Sequence, residues 1–542
     1  MTYCTQLPHF SATSSRSRLL TLGFWIFILW LALPQILRAA PTPLVITNPD
    51  SVLAATLKQL QGAPLSLQQA KELALRQATT VRAAEAALRA AGGTVRRERG
   101  AFDPELFAEL SKSGRDLPSA SPFAGADVLT QDEFRTSTGV RITLPLGTSI
   151  AASMNTIKTE TNSAFATLNP QYQAEGLLQI TQPLLKGFGA GTSSDLSSSK
   201  RELEAAQAAY EDAVLAVTAT VEQTYWDLYA AERDLAVQIL IRDQSQSFLN
   251  ETRLRSEAGL VGPNQVANAR VFLAEQEQAV LDREENLDRI SDQLASLIGE
   301  RPQGNNGRFH PQSEPAADFP LDDIEQLVPA ALETNRSLKV AADLVAAARA
   351  REQGARWNAL PTLDLVGAIG GVGLAGDAQP VVLSGDTVRS SFDGSFGDAY
   401  SAALQRDNPT WSIGLRLSYP IGLRSGAGER DRLRGETARA EQQYLAVRRT
   451  VEEDLRRSHR ELAHARKRLE VARDGVDASV EQVRIGTLEY NAGRTTAFEL
   501  VRLAADLAAA QQRYSQALVR AAKAAAALKR LTTGTIEGPL SE

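Results

Sequence analysis

Residues 180–191 read ITQPLLKGFGAG, and residues 417–428 read LSYPIGLRSGAG. In each, an alternating run reaches a proline (Pro183, Pro420), bends through glycine and opens on helix-favouring sequence. The match has company. Leu228–Leu235 (LYAAERDL) lies over Leu462–Leu469 (LAHARKRL), Ala258-Gly259 over Ala492-Gly493, and Leu294 and Leu297 over Leu528 and Leu531. Upstream, AFDPELFAEL at 101–110 corresponds to NALPTLDLVG at 358–367, each behind an Ala-rich amphipathic segment. Chance supplies one such match but not several in the same order. The chain is an internal duplication.

Each half then has one plan. A helix over 66–100 or 323–358 leads through proline into strand-like sequence, which returns through a second proline. A very long helix follows, 193–257 or 427–490. A glycine-marked turn then leads to a last helix over 264–298 or 497–531. The Pro/Gly/Asn-rich stretch 300–320 reads as the linker between halves. The expected division is a leader at 1–40, an N-terminal extension at 41–64, repeats at 65–299 and 321–533, and a tail at 534–542.

Val214, Val221, Leu228, Leu235 and Leu249 keep a seven-residue register in the first long helix. Leu455, Leu462, Leu469, Val476 and Val483 keep it in the second. A strict seven is shorter than two full helical turns, so neighbouring helices must supercoil left-handedly to keep that seam buried. Ala, Gln, Glu and Arg crowd the remaining faces, which suits a wet wall better than a dry core. A solid coiled-coil rod is the competing reading of these helices.

Between the prolines the period changes to two. Val140, Ile142 and Leu144 alternate with Gly139, Arg141 and Thr143, and Ile413, Leu415, Leu417 and Tyr419 with Ser412, Gly414, Arg416 and Ser418. Such segments with one apolar face suit outer-membrane barrel strands; ordinary soluble hairpins packed on the helices are the alternative. The polar stretches 114–133 and 376–409 read as loops of an external face. Four strands per chain would close a barrel of twelve in a trimer. Pro145-Leu146-Gly147 followed by TSIAASMN adds a candidate turn and strand, and six per chain would make eighteen. The fold class is mainly α with a transmembrane β-barrel part.

Arg16 and Arg18 precede the apolar run Leu19–Leu33, and Ala39-Ala40 follow it, the order of a secretory leader. That run is short for a spanning helix, which needs about 20 residues. Cys4, the one cysteine, precedes it and so cannot be the lipidated residue of a lipoprotein leader. With 58 Lys+Arg against 64 Asp+Glu, the net charge of -6 gives no footprint for nucleic acid. One cysteine and 4 histidines leave no disulfide framework or metal cage. No nucleophile–base pair, metal spacing or phosphate cradle marks an enzyme, and no cofactor is expected. Gly187-Phe188-Gly189-Ala190-Gly191 lacks the spacing of a dinucleotide turn and fits a bend from strand into helix. His459 and His464 are poorly placed to share a helix face.

The leader, the duplicated plan and the proline-marked junctions together resemble the TolC-like outer-membrane efflux protein family over about residues 65–535. The sharpest parts are QPLLKGFG at 182–189, EAGLVGPNQVANAR at 257–270 and EYNAGRTTAFELVRL at 489–503. The resemblance implies a homotrimeric duct, with a β-barrel in outer-membrane lipid continued by an α-helical barrel through the periplasm. It further implies docking on a periplasmic adaptor that links to an inner-membrane transporter. Adaptor-docking tips are then expected at Gly259, Leu260, Val266, Gly493, Arg494 and Leu500. A pore constriction is expected from Tyr490, Glu499, Arg502 and Gln265. Tyr490, Gly493 and Glu499 match the family's second tip. Arg502 stands where a second acidic ring is often found, and Gln265 where the first tip often has Asp. Threefold symmetry would gather three Glu499 carboxylates, unless Arg502 pairs with them; a solvated helix face is the plain alternative for both. A non-conducting stalk or adhesin anchored by strands is the rival function.

Overall fold

The computed structural model describes residues 49–120, 125–302, 307–316, 318–383, 386–492 and 494–532. The expected leader with Cys4, the tail 534–542 and Gly493 lie outside the described residues.

The first half runs α1 (Pro49–Gln59), β1 (Ala63–Leu65), α2 (Leu67–Gln77), α3 (Thr79–Gly100), β2 (Glu105–Pro118), β3 (Val128–Thr143), β4 (Ser149–Thr161), β5 (Leu168–Pro183), α4 (Ala190–Glu257) and α5 (Pro263–Ile298). The second runs β6 (Phe309–Pro311), α6 (Ile324–Thr334), α7 (Arg336–Asn358), β7 (Thr362–Ala378), β8 (Val381–Leu383), β9 (Asp386–Val388), α8 (Phe396–Gln405), β10 (Asn408–Ser418), α9 (Arg424–Asn491) and α10 (Ala497–Leu531). Among the described residues no helix is long and apolar enough to cross a membrane.

The helix expected over 66–100 is two helices, and so is its counterpart over 323–358. Ala78 (ψ 124°) and Asn335 (ψ 126°) each leave the helical region for one residue. Asn335 makes the second break a built one. Its Oδ1 accepts the Leu338 amide at 3.0 Å, capping α7, and its Nδ2 donates to the Leu531 carbonyl at 3.2 Å. A heptad or amphipathic count passes over such a break because the apolar stripe resumes beyond it.

α4 and α9 are each 68 residues, roughly 100 Å at 1.5 Å per residue. α4 packs along α3, α5, α7 and α10, and α9 along α7 and α10. The seven-residue register is the packing seam. Val221, Leu228, Leu235 and Leu249 are buried, as are Leu455, Leu462, Leu469 and Val483. One apolar cluster takes Val221, Leu228 and Leu235 from the first half with Leu455, Leu462 and Leu469 from the second. The duplication therefore closes on itself through a shared core.

The linker is more than a loop. β6 pairs in parallel with β1, setting Phe309 opposite Ala63 and Pro311 opposite Leu65. Tyr225 fastens this small sheet to α4: its hydroxyl donates to the Leu65 carbonyl and accepts the Ser313 amide, both at 2.9 Å. Nearby, His310 Nδ1 lies 2.5 Å from Glu232 Oε1, while burial holds the Glu232 carboxyl above its ordinary value. Burial likewise lifts the Tyr229 hydroxyl to about 12.

Burial also raises Asp234, against hydrogen bonds from Gln512 and Gln516, and its Oδ1 has no partner. A carboxyl raised in the folded state favours folding below its unfolded pKa and loses that contribution as pH climbs through the folded value. Asp234→Asn should thus be the more stable protein at about pH 8, because the neutral amide keeps the shape of the side chain and avoids the cost of burying its charge. The advantage should shrink as pH falls towards about 4, near the unfolded carboxyl value. Thermal unfolding of both proteins across that range measures it.

Among the described residues, six of the strands form one antiparallel sheet in the order β10-β7-β5-β4-β3-β2. The higher of the two strand counts per chain is the one observed. The first half contributes four strands to it, two more than expected, and the second contributes two; β4 is the candidate strand at 148–155, reached through Leu144–Thr148. There the Leu144 amide donates to the Thr148 carbonyl, and Gly147 adopts φ +91°. A Cβ on Gly147 would come within 2.3 Å of the Gly187 carbonyl oxygen, so this turn packs on the bend between β5 and α4. The stretches read as external loops are shorter or more ordered than expected. β2 and β3 extend well into 114–133, and 376–409 carries the β8–β9 hairpin and α8.

Candidate functional site

All four strand–helix junctions lie at one end of the sheet. The first-half exit is pinned to the second-half entry there: the Leu184 amide donates to the Leu363 carbonyl at 2.7 Å, and Lys186 to Pro361 at 3.2 Å. Phe188 packs on Trp357 with ring centroids 5.5 Å apart. The sheet thus continues into the long helices without a flexible linker.

Strict alternation gives the sheet two unlike faces. Registers place Leu106, Val140, Ala152, Leu178, Ile369 and Trp411 in one row across all six strands, on a single face. The next row towards the junctions holds Ile142, Ile150, Ile180, Gly367 and Ile413. These side chains are not covered within the chain: Trp411 is 77% exposed, Ile413 71% and Leu415 68%. An apolar patch of this extent on a folded chain marks a surface that meets lipid or another protein.

The opposite face is polar. Arg141 donates from Nε and Nη2 to the two Glu105 carboxylate oxygens, at 2.7 and 3.0 Å, and lies over the Phe107 ring. Arg135 pairs with Glu133, and Ser137 donates to Asn155 Oδ1 at 2.7 Å. Gln173, Gln179, Ser412 and Arg416 occupy the same face. β2 and β10 are the two edges of the sheet and are exposed along nearly their whole length. An edge of this length invites pairing with another strand.

The turns between long and last helices carry the predicted tip residues. At the first, Gly259 takes φ +72° and the Leu260 amide donates back to the Arg255 carbonyl at 2.8 Å. At the second, the Arg494 amide donates to the Glu489 carbonyl at 2.8 Å, the same closure. This six-to-one bond satisfies carbonyls that a helix end leaves open. Gly259, Leu260 and Arg494 are exposed, with Leu260 at 74%, and Val266 is partly buried against Leu249, Ala269 and Leu273.

Leu500 does not belong to the exposed set. It is buried beneath the turn, near Gly486 in the α9–α10 hairpin, because the first inward-facing position of α10 must pack on α9. Its place is to hold the second tip rather than to present it.

The structure brings Gln265 and Arg502 onto one cleft of about 710 Å³ between the two tips, together with Phe248, Phe272, Thr496 and Asp506. Arg502 Nη1 stands 3.8 Å from Glu499 Oε2, the loose edge of an ion pair, with both side chains well exposed. Tyr490, half-buried at the end of α9, and Glu499 do not line that cleft. Thr496 went unremarked in the sequence, although Thr496-x-x-Glu499 has capping-box spacing. Its hydroxyl accepts the Glu499 amide at 3.3 Å and caps α10, and Glu499 adds a negative charge to the first turn.

Solved structures share this architecture at low identity. The outer-membrane channel OprN is 19% identical, with a TM-score of 0.59 over 90% of this chain and 92% of that one. The Campylobacter jejuni CmeC outer membrane channel is 15% identical, with a TM-score of 0.59 over 88% and 87%. The open state of the Neisseria gonorrhoeae MtrE outer membrane channel is 16% identical, with a TM-score of 0.57 over 87% and 89%. No curated protein sequence matches the chain. The family model described as outer membrane efflux protein matches residues 70–300 and 327–534, one segment for each half of the duplication. With both repeats matched and the helical wall continuous with a two-faced sheet, the chain belongs to the outer membrane efflux protein family.

Proposed function

We propose that this chain is the exit duct of a tripartite export system, exported by a leader cleaved near residue 40. Three copies join β10 of one sheet to β2 of the next, giving a closed barrel of eighteen strands. Its apolar face meets outer-membrane lipid and its polar face lines a wet lumen. The helices continue the lumen into the periplasm, where the tips at Gly259, Leu260, Val266, Gly493 and Arg494 dock on an adaptor bound to an inner-membrane transporter. Passage is passive, through a constriction set by Tyr490, Glu499, Arg502 and Gln265.

The observation that carries this reading is the sheet itself. It has an apolar face left uncovered over its junction-side rows, one polar face and two open edges, and it runs directly into 68-residue helices. A soluble hairpin domain would bury that apolar face on its own helices, and a closed ring of strands is what leaves no edge in lipid.

Single-channel recording in planar bilayers tests the duct, comparing wild type with Glu499→Ala and Glu499→Gln. Discrete openings are expected, with conductance and cation preference changed alike in both variants, because a threefold carboxylate ring acts through its charge. If Ala alters the openings and Gln does not, the charge of Glu499 is not what acts, and the carboxylate ring is overturned. An inserted trimer that never conducts would favour the stalk.

A further inference from the structure

The β7–β10 connection turns back over the sheet. After a capping box between Ser395 and Asp398, α8 runs along the outside of β7 and β5 and buries Ala399 and Ala403 against Ala174 and Ala375. The approach is backbone-close. A Cβ on Gly373 would stand 1.9 Å from the Ala399 carbonyl oxygen, and one on Gly371 2.6 Å from that of Ala403. This docking explains Gly370-Gly371-Val372-Gly373, a composition that otherwise weakens a strand. The helix stops at Arg406 (φ 60°), whose Nε donates to the Gly370 carbonyl at 3.3 Å.

Gly371, Gly373 and Ala375 share the face of Leu365, Ile369 and Trp411, so α8 lies on the apolar side of the sheet and away from the polar one. With Ala399 and Ala403 on the sheet, helical spacing sets Phe396, Tyr400 and Leu404 along one flank. All three are exposed, Leu404 at 61%. Phe396 meets Tyr172 edge-on at 5.9 Å and Tyr400 at 6.1 Å, so aromatic rings gather at one level. At that level the sheet face turns polar: Lys158 pairs across from Tyr172, and Glu160 follows. From Leu365 to Ala375 is about 33 Å along the strand at 3.3 Å per residue. At the usual barrel tilt that is roughly 25 Å of height, the thickness of an apolar band edged by aromatics. Ala403 docks two rows below Ala375, which sets Leu404 about 10 Å inside the band's far edge.

We propose that α8 is a lipid anchor laid on the outer wall. Its Phe396, Tyr400 and Leu404 flank packs against acyl chains of the outer leaflet just beneath their headgroups. The inference rests on the lipid-facing reading of the sheet, and its support is the continuity of that flank with the apolar rows below it.

The test uses the exported chain, which loses its one cysteine, Cys4, with the leader, and a bimane label at Leu404→Cys or, separately, at Leu415→Cys. Each is reconstituted in vesicles of phosphatidylcholine brominated near the headgroup or near the chain end. The Leu404 label is expected to lose more emission to shallow bromines than to deep ones, and the Leu415 label to be quenched as well. Quenching at Leu415 with none at Leu404 overturns the anchor, assigning α8 to water or a protein neighbour, and leaves the duct standing. Quenching at neither position overturns both readings.

Discussion

Trp411→Arg and Ile413→Arg, made singly, are expected to keep the protein out of the membrane. Both side chains stand on the apolar face of edge strand β10 and are about two-thirds or more exposed, so the folded chain offers neither a partner. A guanidinium on the lipid face costs about 2–4 kcal/mol at the bilayer midplane and less towards either interface, so Trp411→Arg, opposite Ile369 and close to the middle of the apolar band, should be the more damaging of the two. A trimer carries the substitution three times, and a net folding stability of about 5–15 kcal/mol leaves little margin for that. Ser412→Arg, one residue away on the polar face, should insert normally, since its side chain would point into water. Flotation of membrane vesicles with heat-modifiable gel mobility reads out insertion and trimer together. Equal insertion of all three variants would mean that the apolar face meets something other than lipid.

The contrast between neighbours on one strand is also what made this fold readable. Period two in 412–419 exposes the two faces because lipid and lumen demand opposite side chains at every step. The long helices were legible for a similar reason: Leu228 and Leu462 recur in a seven-residue register that only a supercoiled neighbour can bury. Breaks at Ala78 and Asn335 were not legible, because the apolar stripe continues across them; at Asn335 a further hold comes from a partner distant in sequence, the Leu531 carbonyl. α8 was hidden by its setting. Ala399 and Ala403 look like surface alanines until Gly371 and Gly373 are known to face them. At the tips, Gly259 was readable as a helix stop, whereas the inward turn of Leu500 depends on how α10 packs on α9. The cleft shared by Gln265 and Arg502 joins halves of the chain that no local pattern connects.

The heptad seam leads to the second large effect. Leu228→Ala and Leu462→Ala are each expected to lower stability by about 2–5 kcal/mol, the transfer term of the lost side chain plus an unfilled cavity. Leu228 is fully buried and Leu462 nearly so, in a single cluster drawn from both halves. The damage should therefore spread to the shared core rather than stay within one repeat. Leu254→Ala, on the same helix as Leu228 but 66% exposed, should change the stability of a single chain by no more than about 0.5 kcal/mol. Thermal unfolding in detergent, followed by far-ultraviolet dichroism, separates the two classes. A small loss at Leu228 would mean that the two repeats are held together by the sheet and its junctions, with the helices merely resting side by side. A large one makes the duplicated helices the part of the chain that must fold as a unit before three copies can close a barrel.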